Sequence, residues 1–263
     1  MQFKSDQTYL MPVAFGEFPG EDVAFYGDSL NLAAVYLTER DALAALLPPP
    51  YEPADEALVT VFYSKCAKVD FLAGGGYNLM GVNLAAVFNG KVDHLQGNFA
   101  AVLWENNTIP ITLGRELLGC PKLFGDIPDP YRIDDDWRVQ TSENGRVLVE
   151  IFLGGTQPVV GAGLDLIRAG SGTPWMGWRC FPNVNGKGVA LSEPTLMAGD
   201  AQIDQAWIAS DVRVTFGDVS LLTNPIMAHI MPKLQTLVVK EYRAGVVTRG
   251  SSQLLISRNR VLR

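Results

Sequence analysis

The sequence predicts a mainly β (α+β) fold, read as a single domain over residues 1–263, in which antiparallel strands close into a barrel or a strongly curved sheet with a few short helices. Three observations point there. The 26 glycines and 16 prolines punctuate the chain densely. The apolar stretches between them are short and rich in Val, Leu, Ile and Phe. Several alternate as a half-buried strand requires, with Val212, Val214 and Phe216 set against Arg213 and Thr215.

In chain order the candidate strands are residues 30–37, 58–63, 81–88, 100–104, 147–153, 188–191 and 206–215. So many strands favour closure, because closing or covering a sheet removes exposed edges. Helical signals are fewer. Thr38 is a candidate cap for a helix whose first turn carries Glu39 and Asp41, whose body is alanine and leucine, and which Pro48 to Pro50 stop. Residues 115–120 and 225–233 allow one helical turn each. Residues 126–136, rich in Asp and Pro, read as a surface excursion, and residues 258–263 as a frayed basic tail. No Gly/Ser linker divides the chain.

With 48% hydrophobic and 19% charged residues the chain must pack a dense interior. A net charge of −7 without a cluster of Lys and Arg argues against nucleic-acid binding. Cys66, Cys120 and Cys180 form no CxxC pair, and the two histidines, His94 and His229, lie far apart, so neither a disulfide framework nor a metal site is expected. The first ten residues include Lys4 and Asp6 and lack a long apolar run; neither a secretory signal nor a membrane span is expected, and the cytoplasm is the default compartment. Gly74-Gly75-Gly76 lacks the Gly-Lys-Ser/Thr ending of a phosphate loop and reads as a flexible turn.

One stretch carries chemistry. Gly114-Arg115-Glu116-Leu117 leads through Leu118, Gly119 and Cys120 into Pro121-Lys122. This resembles the Schiff-base lysine region of the acetoacetate decarboxylase-like superfamily. Residues 38–43 before a Pro-rich turn, Phe88-Asn89-Gly90, Phe181-Pro182-Asn183 and the segment from Pro225 onward follow in that superfamily's order. The resemblance implies an antiparallel β cone or barrel around a closed cavity, within a homo-oligomer, acting on a small-molecule carbonyl substrate without a cofactor. It aligns Lys122 with the imine-forming lysine.

An ordinary ammonium with a pKa near about 10.4 is a poor nucleophile at neutral pH. Bringing it down to about 7 takes roughly 4 kcal/mol of preference for the neutral form, which an apolar pocket can supply. Leu117, Leu118, Leu123 and Phe124 offer such surroundings. The family's second lysine, beside the nucleophile, is Leu123 here, which leaves the tuning to desolvation or to Arg115.

The resemblance also implies an Arg and two Glu in the cavity, and an approximate alignment puts Ser29, Val61 and Leu79 there. Without an Arg to orient a carboxylate, acetoacetate decarboxylation is in doubt, and imine chemistry of the aldolase or dehydratase kind is expected instead. A 3-keto-acid decarboxylase and a noncatalytic carbonyl- or hydrophobic-ligand-binding protein are the alternatives. For proton transfer the candidate is Glu116, which can equally be a structural acid paired with Arg115 or a backbone amide. Tyr63, Tyr77 and Asn78 are candidates for orienting a carbonyl oxygen, against the alternatives of packed aromatics and a turn amide. Trp175, Trp178 and Arg179 can form a lid or pack under a loop, and Met227 and Met231 can line the cavity or simply pack.

Overall fold

The computed structural model describes residues 2–20 and 22–263. Among them the strands are, in order, β1 (Val23–Leu37), β2 (Tyr51–Pro53), β3 (Leu58–Val69), β4 (Tyr77–Asn89), β5 (His94–Glu105), β6 (Lys122–Phe124), β7 (Tyr131–Ile133), β8 (Asp136–Glu143), β9 (Arg146–Gly154), β10 (Gln157–Val159), β11 (Trp175–Pro182), β12 (Val189–Met197), β13 (Gly199–Ile208), β14 (Asp211–Phe216), β15 (Glu241–Leu255) and β16 (Arg260–Val261). The helices are α1 (Arg40–Ala44), α2 (Thr108–Leu113), α3 (Ala162–Gly170) and α4 (Met231–Leu234), with a π-helical turn over Gly114–Leu118.

Two sheets form. The large one runs β10-β13-β15-β1-β3-β4-β5-β11-β12-β16, with β2 beside β4 and β6 beside β5; the small one runs β14-β9-β8-β7. Pairing is antiparallel except for β5 with β6 and β5 with β11. The connectivity requires the large sheet to curl. β12 and β13 lie seven inter-strand steps apart along the path, roughly 34 Å if the sheet were flat. Yet Met197 ends one and Gly199 begins the other, a chain separation that spans at most about 7 Å. The sheet therefore wraps on itself as a cone, as the sequence leads one to expect, while the separate small sheet covers one of its faces.

Side-chain alternation divides the large sheet into two faces. On one, Leu32, Ala34 and Tyr36 of β1, Val59, Val61 and Tyr63 of β3, Met80, Val82 and Leu84 of β4 and Trp104 of β5 pack with Val139, Ile151 and Leu153 of the small sheet and with Met227, Met231 and Leu234. Burying these apolar surfaces is the main stabilising force of the fold. On the other face Phe62, Leu79, Leu103, Leu118, Cys120 and Tyr77 form a smaller cluster. The candidate site lies on this second face.

The candidate strands fall in strands, 188–191 from Val189 onward, and several other expectations are corrected. Residues 206–215 are two strands, β13 and β14, joined at a corner where Ala209 and Ser210 donate to the carbonyls of Gly245 and Gly154. Residues 258–263 are no frayed tail: β16 pairs with β12, Leu262 is buried, and Arg260 grips Asp93 through two hydrogen bonds of 2.9 and 2.7 Å. In the excursion 126–136, Ile127 is buried and β7 pairs with β8. Thr38 does not cap α1; its hydroxyl donates to the Val238 carbonyl at 2.8 Å, and Glu39 occupies the cap position. Glycines hide β15 from a propensity reading, but Gly250 is required there. A Cβ would run into the Gln202 carbonyl where β13 and β15 shift register.

Candidate active site

The site is built where β5 ends and β6 begins. After Glu105 the chain turns into α2, whose first turn is capped by Asn107, its side-chain oxygen accepting from the Ile109 amide at 3.0 Å. The helix widens into the π-helical turn Gly114–Leu118, a form that recurs at functional sites. It stops at Gly119, whose φ of +71° suits glycine and whose missing side chain leaves room for the Arg179 backbone. Thr195 of β12 ties down the turn, its hydroxyl donating to the Leu118 carbonyl at 2.7 Å. The chain then returns parallel to β5, with Lys122 in register with Leu103. Because Leu103 and Glu105 share one side of β5 while Trp104 faces the main core, this out-and-back path sets Lys122 beside Glu105.

Lys122 Nζ lies 2.8 Å from Glu105 Oε1 and donates to the Pro110 carbonyl at 3.0 Å. Lys122 is 6% exposed and Glu105 wholly buried. The contact between the charges is oblique, and the Glu105 carboxylate has no well-directed hydrogen bond from any described residue. Burial pushes the lysine down most strongly, but Glu105 and, more weakly, the Cys120 and Cys66 thiols lift it, and the net direction is upward. Glu105 is also raised, by desolvation, against the pull of Lys122. The lysine thus favours its ammonium form, with Glu105 as the acid beside it. This direction runs against the expectation of a lysine kept neutral by apolar walls: Glu105 and the neighbouring cysteines together outweigh the desolvation.

Gly114 packs against the amine, since a Cβ there would stand 2.6 Å from Lys122 Cδ and Cε and 2.8 Å from Nζ. A cavity of about 720 Å³ opens onto Lys122. Its walls come from the N-terminal segment (Phe18, Pro19), the start of β1 (Tyr26), the α2 and π-turn region (Leu113, Leu117) and the end of the large sheet (Leu254). Burial pushes the Cys66 thiol up to about 12 and the Cys120 thiol up to about 11. Neither is a thiolate at neutral pH.

The other sequence candidates fall elsewhere. Glu116 is half-buried on the π-helical turn and does not line the cavity; its backbone carbonyl accepts from Arg179 at 3.3 Å. Arg115 is exposed and donates to the Lys122 carbonyl at 2.9 Å, securing the backbone of Lys122. Tyr63 and Val61 point into the main core, on the opposite face of β3 from Phe62. Asn78 holds the following loop, its amide donating to the Ile127 carbonyl at 3.0 Å and to Asp129 at 3.1 Å. Tyr77 stands behind Tyr26, which does line the cavity; the ring centroids are 6.4 Å apart. Ser29 is buried against Ser252, the hydroxyls 3.5 Å apart. Leu79 is buried directly across the β4–β5 pair from Glu105. A carboxylate therefore stands on the neighbouring strand from the position where the resemblance implies one. Trp175 packs edge-on against Phe62 and Trp178 against Tyr51, and Arg179 pairs with Glu193, so these residues belong to β11 and its packing rather than to a lid.

Glu105, Tyr26 and the cavity-lining acids Asp22 and Asp70 were not legible as site residues. For Glu105 a signal existed: it follows the apolar run 100–104, and alternation puts it on the inner side with Leu103.

The chain is a curled β cone with a lysine and a carboxylate buried side by side on one face, and comparison with known proteins gives its family. The family model described as acetoacetate decarboxylase matches residues 10–252. The chain belongs to the acetoacetate decarboxylase family. A curated acetoacetate decarboxylase from Clostridium botulinum is 29% identical over 141 residues, 53% of this chain and 53% of that protein, so the match spans about half the length of the relative. A solved acetoacetate decarboxylase structure superposes with a TM-score of 0.77 at 20% identity, covering 97% of this chain and 95% of that one. The enduracididine biosynthesis enzyme MppR, complexed with the condensation product of pyruvate and imidazole 4-carboxaldehyde, superposes with a TM-score of 0.68 at 18% identity, covering 98% and 97%. These two likenesses establish the shared fold.

Proposed function

We propose that this chain is a Schiff-base-forming lyase that acts on a small keto acid, ketone or aldehyde through an imine on Lys122, with aldolase- or dehydratase-type carbon–carbon or carbon–oxygen chemistry. The observation that carries this reading is the amine in the cavity wall, 2.8 Å from a buried carboxylate.

The pair accounts for the steps. Transfer of a proton from Nζ to Glu105 frees the nitrogen lone pair. Nζ then bonds to the carbonyl carbon, a proton moves from nitrogen to the carbonyl oxygen, and the Glu105 proton lets that oxygen leave as water. The product is an iminium bearing the charge the ammonium had, and Glu105 is a carboxylate again. The iminium withdraws electrons from the adjacent carbon, so Glu105 can remove a proton there to give an enamine. The enamine adds to an aldehyde, forming a carbon–carbon bond, or expels a β-hydroxyl as water.

Decarboxylation of a 3-keto acid is the second reading, favoured by the curated relative. There the bond to the carboxylate breaks, carbon dioxide leaves, and the electron pair enters the iminium as an enamine. Assembly as a homo-oligomer is part of the proposal, supported by the exposed Met11, Phe15 and Ile109 side by side on the surface. The test is borohydride reduction in the presence of pyruvate, acetoacetate or a short aldehyde, followed by intact-mass and peptide analysis. One adduct, on Lys122 and absent from K122A, is expected; no adduct with any carbonyl would leave only a binding protein. Carbon dioxide release would assign the decarboxylase, and aldol or dehydration products the lyase proposed first.

A further inference from the structure

The charges of the cavity wall speak to the substrate. Among the described residues that line it, Lys122 is the one cation, and its charge is already matched by Glu105. Two further lining residues are acids, Asp22 and Asp70. Asp70 is fixed in place, one carboxylate oxygen accepting from the Phe25 amide at 2.8 Å and the other from the Phe71 amide at 2.6 Å. Neutral hydrogen-bonding side chains are few: Thr8, Ser257 and the Tyr26 hydroxyl. The rest of the wall is apolar, with aromatic faces from Phe18, Tyr26 and Phe71 and aliphatic surface from the leucines of the π-helical turn.

A substrate carboxylate entering this space meets no unpaired cation and at least two like charges. Burying it without a counter-charge is unfavourable, and like charges add to the cost. Of the guanidinium groups next in sequence to lining residues, Arg115 is exposed and donates to the Lys122 carbonyl, and Arg258, beside Ser257, is exposed and does not line the cavity; Arg179 is engaged by Glu193. A neutral carbonyl compound with an apolar body meets the opposite conditions. Its chain replaces water along the aromatic and leucine wall, and its carbonyl carbon can reach Nζ with no second charge to accommodate. The volume, about 720 Å³, lies in the range that encloses a drug-sized ligand. A three-carbon keto acid would leave most of it filled with water.

We infer that the cavity selects neutral, hydrophobic aldehydes or ketones of medium length over keto acids. This rests on the imine reading of the same site and narrows its substrate class. It also sets the decarboxylase second, since that reaction needs the carboxylate that the wall disfavours.

The experiment pairs compounds of equal chain length. Wild-type protein is incubated with octanal or 2-octanone, and in parallel with 2-oxo-octanoate or 3-oxo-octanoate. Borohydride is added and the Lys122 adduct is followed by intact mass. The neutral members are expected to be captured at least about tenfold more efficiently, the effect of one unmatched charge. Equal or better capture of the keto acids overturns the inference while leaving the imine reading intact. A second arm needs no imine: calorimetric titration with octanamide and octanoate. Preference for the amide by a similar factor supports the inference even if no carbonyl is trapped, a result that would instead remove the Schiff-base reading. Octanoate binding as tightly as octanamide overturns it.

Discussion

Lys122 and Glu105 touch at 2.8 Å inside the second hydrophobic cluster, one contributed by the first residue of β6 and the other by the last residue of β5. Neither would be stable there alone, because an unpaired buried charge costs several kcal/mol or is discharged by a proton. The pair makes the ammonium a poor nucleophile at rest and places the acceptor for its proton within reach. In the proposed imine chemistry, activation of the amine is tied to Glu105 and not to desolvation alone.

Replacing Glu105 by Gln separates these roles. With the carboxylate gone, burial is the dominant influence left on Lys122, and the amine titrates lower. The rate of Lys122 arylation by fluorodinitrobenzene, measured against pH, is expected to have its midpoint above 10.5 in the native protein and below it in E105Q. Turnover should fall by about a hundredfold or more as the proton acceptor is lost. An unchanged midpoint would show that the carboxylate does not control the amine. The linkage has a definite sign. The raised lysine contributes stability below its ordinary value of 10.5 that is lost as pH rises through the higher folded value.

Leu79 faces Glu105 across the β4–β5 pair, so the carboxylate can be moved between strands without leaving the cluster. E105L should retain imine capture, since burial then lowers the amine, while losing turnover with its proton acceptor. The double variant L79E/E105L should recover at least about a tenth of native turnover, in keeping with the distance dependence of acid–base catalysis. No recovery in a folded double variant would mean that the β5 position is specifically required.

Gly114 is the residue with no room to spare beside the amine. G114A places a methyl 2.6 Å from the lysine stem, and the flexible side chain must swing away from Glu105. The expected cost in stability is about 1–3 kcal/mol, measured by urea denaturation. The imine trapping rate should fall by about tenfold or more, out of proportion to the stability loss.

Trp104 is fully buried on the opposite face, its indole N–H directed at the Met227 sulfur at 3.4 Å. W104A should lose about 3–5 kcal/mol of stability, and W104F markedly less, because the cavity left behind is smaller. Imine trapping in W104F should stay near native, since the side chain faces the core and not the site.

Asp93 anchors the C-terminal strand, bonded to Arg260 and to the Arg263 amide, and its pKa is lowered to about 2 from 3.8 by those bonds. A lowered acid stabilises the fold above its unfolded value and ceases to do so as pH falls through the folded one. The native melting temperature should therefore carry a component that declines from pH 3.8 down to about 2, absent in D93N. A D93N profile parallel to the native one across that window would show that the bonds to Arg260 are not formed in solution.

The local part of this molecule was legible in its residues. Short apolar runs between turn residues located the strands at 58–63 and 81–88, and the run from Gly114 to Lys122 carried the family resemblance, because these signals lie within a few consecutive side chains. What escaped is set by pairing between distant segments. Which face of β3 points to the cavity sent Tyr63 and Val61 to the core; the register of β4 on β5 put Leu79 opposite Glu105; the return of β6 beside β5 brought Glu105 to the amine in place of Glu116. A chain read residue by residue fixes the chemical groups available to it, but the charge state of Lys122 depends on which carboxylate ends up beside it. That neighbour is chosen by cross-strand register and by the curl of the sheet, properties that exist only once the strands have found one another.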